Sequence, residues 1–287
     1  MDDTPTNLYK YLPARRASDV LAKLLIRFSQ VSVLNDALEF KPPLKGVGSP
    51  SHIKQLLNER LGAKFPDLVE LVERALPPRI AEQLKNDVIS GGAEKVERDF
   101  LKSVGAIYQK LDENFGILSL SETPTDTLMW SHYADGGRGF LIEFDPRHSW
   151  FWAKKEDRDD FRHLRRVAYT SYRPPKYLLE TVGQEVLYTK RKEWEYEREW
   201  RIIRNFNDAA CEVGHDNNGK DVLLFAIPPD CILGVVVGYK TDRESAEGMR
   251  KLVAANPALS HIRFSEAVLK SDGSIEIVSS GTGRPAF

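Results

Sequence analysis

The chain is poor in cysteine and has no long apolar run. Cys211 and Cys231 are the only two cysteines among 287 residues, which argues against a zinc site and against a small secreted fold held by disulfides. No apolar stretch approaches the ~20 residues that span a bilayer, and the first residues lack the profile of a signal peptide. We therefore expect a cytoplasmic protein with no membrane partner and no bound metal.

An excess of charge of one sign is also missing. Lys and Arg together number 41 and Asp and Glu number 42, so the chain as a whole has no bulk attraction to nucleic acid or to an anionic membrane. Hydrophobic residues make up 41% and charged residues 29%, which is typical of a globular protein. Any site for a charged partner must therefore be local.

Strand patterns flank a central helical stretch and predict the fold class. Helices are predicted at 18–25, with Ser18 as the N-cap, at 242–255, and as a short segment around Trp130 to Tyr133. Strands are predicted at 8–12, 27–29, 117–121, 139–144, 166–169, 200–203, 222–227, 232–237, 262–264 and 275–278. Strands grouped with few helices between them predict an α+β fold with a mixed, mainly antiparallel sheet.

Residues 50–114 follow a different pattern. Apolar residues recur at helical spacing, as in Ile53, Leu56, Leu57 and Leu61, and Pro and Gly pairs divide the stretch. We expect a single α+β domain over residues 1–287 that carries 50–114 as a helical insertion.

A run of charged and aromatic residues from Trp194 to Arg201 is the most distinctive local feature. In extended backbone, Glu195, Glu197 and Glu199 would share one face. Three neighbouring carboxylates repel each other, so the run is either exposed to water or used in chemistry. Arg201 is expected to neutralise a buried glutamate.

Two other groups of residues have both a structural and a functional interpretation. Ser119 and Ser121 share one face of a strand, where their hydroxyls could line a pocket or simply form a polar outer surface. Trp130, His132 and Tyr133 could offer a stacking platform to a ligand or could pack a helix against the sheet. The core interpretation is favoured for Trp130, and both remain open for His132 and Tyr133.

The sequence resembles the bacterial and phage domain-of-unknown-function family 2971. The resemblance rests on Met-Trp-Ser-His-Tyr-Ala at 129–134 and on Trp-Glu-Tyr-Glu-Arg-Glu-Trp-Arg at 194–201. Shorter matches lie at 8–11, 34–36, 117–122 and 139–140, and at Lys190. This family implies no firmly established activity.

A more distant resemblance concerns ADP-ribosyltransferases, which carry a first-strand Arg or His, a Ser-x-Ser strand and a Glu-x-Glu, in that order. The matching positions are Lys10, Ser119-Leu120-Ser121 and Glu197-Arg198-Glu199. The resemblance implies a split sheet with NAD as substrate. Glu199 would bind the ribose and stabilise the transition state, Glu197 would deprotonate the acceptor, and Ser119 would orient Glu199. Lys10 departs from the pattern because an ammonium is a point charge without the arginine fork.

The same resemblance implies that Tyr9, Lys10, Tyr11, Ser119 and Ser121 would bind NAD and that Tyr196 would contact the substrate. The residues themselves add His132 and Tyr133 as NAD contacts, through their stacking platform, and Trp194 as a substrate contact. The leading hypothesis is therefore an enzyme that transfers ADP-ribose from NAD to a protein or nucleic acid, in phage defence or as a toxin. One alternative is a non-catalytic module that binds nucleic acid or protein. The other is a metal-dependent nuclease, which needs an acidic ligand such as Glu143 or Asp145 beside the glutamate run.

Overall fold

A computed structural model of the chain describes residues 4–36, 44–46, 109–153, 162–172, 176–177 and 187–282. One compact unit comprises Met1–Val33, Phe115–Ser171 and Lys190–Phe287, and a second comprises Leu34–Asn114 and Tyr172–Thr189. Residues 109–114 are helical, and the rest of the predicted insertion at 50–114 lies outside the described residues. The single domain over 1–287 stays a prediction.

The first unit contains most of the described elements. Its strands are β1 (Leu8–Leu12), β2 (Leu25–Arg27), β4 (Phe115–Ser121), β5 (Phe140–Phe144), β6 (Arg165–Arg166), β7 (Ala168–Thr170), β10 (Glu199–Asn205), β11 (Cys211–His215), β12 (Asp221–Ala226), β13 (Ile232–Val237), β14 (Arg263–Leu269) and β15 (Ile275–Thr282). Among its described residues, the α-helices are α1 (Thr127–Tyr133) and α2 (Arg243–Ala255). The second unit contains β3 (Leu44–Gly46) and β8 (Lys176–Tyr177), which pair in parallel. Strand β9 spans Thr189–Arg191.

An eight-stranded sheet forms the centre of the first unit, in the order β15-β14-β13-β5-β1-β4-β10-β6. Every neighbouring pair in it is antiparallel except β13 with β14. A separate sheet has the order β11-β12-β2. The predicted α+β class with a mixed, mainly antiparallel sheet is confirmed.

Both faces of the large sheet are covered by apolar residues. Met249 and Val253 of α2 join one buried cluster that includes Phe264 and Val235. On the other side, α1 contributes Met129 and Trp130 to a cluster with Tyr11. Trp130 is fully buried and meets Tyr11 edge-on, so the core interpretation of Trp130 is confirmed.

The predicted helix at 18–25 is shorter than expected. It spans Ser18–Ala22 and has π-helical geometry, and its N-cap is Ala17, which makes no side-chain capping bond. The prediction of Ser18 as the cap is therefore wrong. Leu24 has φ 55°, a left-handed conformation that ends the helical path before β2 begins at Leu25.

The large sheet opens between β1 and β4. Strand β4 pairs with β10 from Phe115 to Ser121, whereas its recorded pairing with β1 is the single position Tyr9 with Ser121. At its other end, Ile117 of β4 forms a bridge with Ser29. The same edge of β4 is thus shared by two chain segments, β1 near Ser121 and the segment around Ser29 near Ile117.

No described helix combines the length and the apolar character needed to cross a membrane.

Gly139 fixes α1 against the end of β1. A Cβ added at Gly139 would lie 2.1 Å from the Leu12 carbonyl oxygen and 3.0 Å from the backbone of Ala134. Backbone atoms cannot rotate away, so we expect Gly139→Ala to lower the free energy of unfolding by at least ~1–3 kcal/mol. Urea denaturation measures this change.

Gly248 is the matched control, because it is exposed within α2 and an added Cβ meets nothing within 4 Å. Gly248→Ala should raise the free energy of unfolding by ~1 kcal/mol, since alanine favours the helix. Equal urea midpoints for the two variants would contradict the close approach at Gly139.

Candidate functional site

The glutamate run is not extended throughout. Lys192–Glu197 form a 3-10 helix, Arg198 takes a left-handed conformation with φ 44°, and β10 starts at Glu199. The predicted alternation from Glu195 to Glu199 is therefore wrong. The turn nevertheless buries both Glu197 and Glu199, which are 3% and 4% exposed, and leaves Glu195 exposed.

Glu199 is held by a buried arginine on its own strand. Arg201 is 0% exposed; its Nε donates to Glu199 Oε1 and its Nη2 donates to Glu199 Oε2, both at 2.7 Å. Strand alternation puts residues two apart on the same face, which allows this two-point contact. The expected neutralising role of Arg201 is confirmed.

Lys190 connects the two carboxylates. Its ammonium donates to Glu197 Oε2 at 2.5 Å and to Glu199 Oε2 at 3.1 Å. Tyr133 at the end of α1 donates from its hydroxyl to Glu197 Oε1, also at 2.5 Å. The side chain of Glu197 is thus held between α1 and Lys190, and that of Glu199 between Arg201 and Lys190.

The network shifts the pKa values of its members. Burial raises the pKa of Glu199 and the charge of Glu197 adds to this, while Lys190 and a hydrogen bond from Ser119 favour the ionised form. Burial lowers the pKa of Lys190, but Glu199 and Glu197 outweigh it and raise the value overall. Burial and then the charge of Glu197 raise the pKa of Tyr133. Tyr133 therefore remains a neutral donor, and Lys190 remains a cation.

Lys10 lies at the opening of the sheet. Its ammonium donates to the Ser119 carbonyl oxygen at 2.9 Å. Burial lowers the pKa of Lys10 to about 8, although Glu199 and Glu197 oppose the shift. A cleft of about 430 Å³ lies beside it, between β1, the segment around Leu25 to Ser29, and the end of α1.

The comparison with known proteins identifies one part of this arrangement. The family described as "Protein of unknown function (DUF2971)" matches residues 129–202. Residues 129–202 are therefore similar to this family. The region contains both longer motifs on which the resemblance rested, so recognition of this family is confirmed there. No curated protein and no solved structure gives a significant match.

The DUF2971 region supplies four members of the buried network: Tyr133, Lys190, Glu197 and Glu199. Arg201 completes it from within the same region. Lys10 and Ser119 lie on β1 and β4, outside the matched residues. The polar centre therefore lies within the matched residues, and the cleft beside it is built with strands from elsewhere in the chain.

Three other residues that were predicted to bind NAD have hydroxyls that contact protein groups. Ser121 donates to the Glu197 carbonyl oxygen at 2.7 Å, so it holds the backbone of the turn. Tyr9 is directed at Glu143 at 3.5 Å, and Tyr11 donates to the Thr123 carbonyl oxygen at 2.7 Å. Of these three hydroxyls, that of Ser121 bonds to a residue of the buried network, whereas those of Tyr9 and Tyr11 bond to residues outside it.

The aromatic candidates border the site. His132 is exposed and lines the cleft together with Tyr133. Trp194 and Tyr196 are half-buried and stack in a tilted arrangement with ring centroids 6.1 Å apart. The Lys190 ammonium lies 5.0 Å from the Trp194 ring centroid. Trp194 thus covers the ammonium that joins the two glutamates.

Two residues in or near the site, Tyr169 and Arg27, were not predicted as site residues. Lys190 was predicted as part of a family motif and beside the glutamates in the nuclease alternative, but its role as the bridge between carboxylates depends on the turn at Arg198. Tyr169 accepts a hydrogen bond from the Glu199 backbone N–H at 2.8 Å, and nothing in the sequence links these positions. Arg27 lines the cleft; the available signal was a lone cation in the apolar stretch from Leu24 to Phe28.

Within the described ranges, no group of three His, Cys, Asp or Glu side chains is placed to hold a metal ion. Glu143, named as an added ligand for the nuclease alternative, instead accepts from Asn7 and Arg263 at 2.7 and 2.9 Å.

Replacement of Arg201 should lower the free energy of unfolding. Arg201→Met leaves the Glu199 carboxylate buried without its two-point partner, and we expect the free energy of unfolding to fall by ~3–5 kcal/mol at pH 7. Urea denaturation with a second spectroscopic probe measures the change. Arg147 is the control, because it is an exposed arginine paired with Asp145; Arg147→Met should cost less than ~1 kcal/mol. Equal losses in the two variants would contradict the assigned role.

Proposed function

We propose that this protein is an ADP-ribosyltransferase-like enzyme that cleaves NAD. The observation that carries the proposal is that Lys10, Ser119 and Glu199 meet on three neighbouring strands, β1, β4 and β10. They follow the chain order of the Arg or His, Ser-x-Ser and Glu-x-Glu motifs. Support also comes from the short pairing of β1 with β4 and from the cleft beside Lys10, since the motif order alone does not require either.

In the proposed reaction, the bond between nicotinamide and C1′ of the ribose breaks. Nicotinamide leaves with the bonding electron pair, and positive charge develops on the ribose. The Glu199 carboxylate stabilises that charge electrostatically. An acceptor nucleophile then bonds to C1′ and loses its proton to Glu197, which acts as general base.

The hydrogen bonds of Glu199 suit this role. Arg201 and Ser119 fix the orientation of the carboxylate, so little reorganisation is needed when charge develops nearby. Glu199 is almost fully buried, and the ribose would approach it through the opening at Lys10. The Lys10 ammonium would contact the phosphates of NAD as a point charge.

The acceptor would be a macromolecule, a protein or a nucleic acid, and a role in phage defence or as a toxin follows as part of the proposal. Trp194 and Tyr196 precede the two glutamates and are half-buried. Aromatic side chains with exposed edges are suited to contacting such an acceptor.

Release of nicotinamide tests the reaction directly. Glu199→Gln keeps the shape of the side chain and removes its charge, so we expect nicotinamide release from NAD to fall by ~100-fold or more. Glu195→Gln is the matched control on the same turn, because Glu195 is exposed, and it should release nicotinamide at the wild-type rate. Equal release by wild type and Glu199→Gln, or no release by either, contradicts the proposal.

The pH dependence of NAD binding tests Lys10. Its pKa is lowered to about 8 by burial, so the ammonium is charged below that pH and neutral above it. We expect NAD affinity to fall as the pH rises from 7 to 9, measured by calorimetry. Lys10→Arg keeps its charge over this range and should bind NAD with little change between the two pH values. A pH-independent affinity in the wild type would contradict the contact.

A further inference from the structure

The cleft beside Lys10 carries an excess of positive charge. Its charged lining residues are four cations, Lys10, Arg15, Arg16 and Arg27, and two carboxylates, Asp19 and Asp135. The two carboxylates lie close to the two arginines of the turn that follows β1: Asp19 is 3.4 Å from Arg16, and Asp135 is 3.6 Å from Arg15. Neither lining carboxylate is paired with Lys10 or Arg27.

Hydrogen bonds to two neighbouring side chains hold the Arg27 guanidinium in place. Its Nη2 donates to Asp216 at 2.6 Å and to the Gln30 side chain at 3.2 Å, and Gln30 in turn donates to the Asp221 carbonyl oxygen at 2.8 Å. One end of the guanidinium is therefore bonded to protein. The buried Nε has no hydrogen-bond partner among the described residues, which is unusual because buried donors are normally satisfied.

Lys10 and Arg27 are close enough for their charges to interact. Arg27 contributes to lowering the pKa of Lys10, which means that the two cations repel each other. An ammonium has three N–H groups, and the Ser119 carbonyl oxygen takes one of them. Lys10 has spare donors, and Arg27 lines the same cleft although Asp216 compensates part of its charge. An anion in the cleft would stabilise this pair of cations.

We propose that Lys10 and Arg27 together bind the diphosphate group of a nucleotide. The two side chains come from different strands, β1 and β2, so each can serve one phosphate. A cleft of about 430 Å³ lies within the usual range for small-molecule sites, and is larger than a single phosphate requires. The Ser29 and His132 side chains also line the cleft and can donate to the same group.

This inference deepens the proposed function. It rests on that function for the identification of the nucleotide as NAD. It adds Arg27 as a specificity-determining residue and diphosphates as the ligand class. The reaction at Glu199 and the binding at Arg27 are nevertheless separable by experiment.

Calorimetry on the full chain with inorganic pyrophosphate, inorganic phosphate and ADP-ribose tests the site. We expect pyrophosphate and ADP-ribose to bind more tightly than phosphate. Arg27→Met should weaken both by at least about tenfold, because one charge-assisted contact is lost. Arg27→Lys should lose less, and Arg147→Met, an exposed arginine outside the cleft, should bind like the wild type.

Several results would overturn the inference. These are absence of pyrophosphate binding by the wild type, equal binding by Arg27→Met, or phosphate binding as tight as pyrophosphate. Arg27→Lys guards against misfolding of Arg27→Met, because it keeps a cation opposite Asp216. Glu199→Gln distinguishes the two proposals: it should still bind pyrophosphate. If pyrophosphate binds as expected and no nicotinamide is released, the diphosphate site stands and the NAD reaction fails.

Discussion

The buried contact between Arg201 and Glu199 is the interaction on which the rest of the site depends. An arginine and a glutamate side chain are removed from water on one strand, and their two-point geometry compensates part of the desolvation cost. With Glu199 fixed in this way, Lys190 can bridge to Glu197, and Glu197 can accept from Tyr133. Strand β10, the turn before it and the end of α1 are thereby joined through charged groups.

This arrangement also explains the position of the turn. Arg198 takes a left-handed conformation, which is uncommon for a residue with a Cβ. The strain at Arg198 allows Glu197 and Glu199 to converge on the same ammonium. In an uninterrupted strand both carboxylates would share a face, but the chain before Glu197 would continue away from Lys190 instead of turning back.

Much of the fold could be predicted from the sequence, because apolar alternation is a strong signal for strands. The strand predicted at 232–237 matches β13, and the helix predicted at 242–255 matches α2 with its Asp242 cap. The conformation of the glutamate run was harder to predict, since nothing in the residue type of Arg198 favours a left-handed conformation. Arg27 was missed because its importance depends on β1 and β2, which belong to different sheets, lining the same cleft, and on Asp216 from a distant hairpin. Such proximity depends on tertiary structure and leaves no local pattern.

Lys10 has a consequence for how the protein responds to pH. A neutral amine still has N–H groups, so deprotonation of Lys10 leaves its hydrogen bond to the Ser119 carbonyl oxygen intact. The cleft beside Lys10 would keep its shape while the charge of Lys10 disappears. The shape of the cleft and its electrostatic potential are thus set independently. In mildly alkaline solution the cleft loses the positive charge of Lys10, while the residues that line it keep their positions.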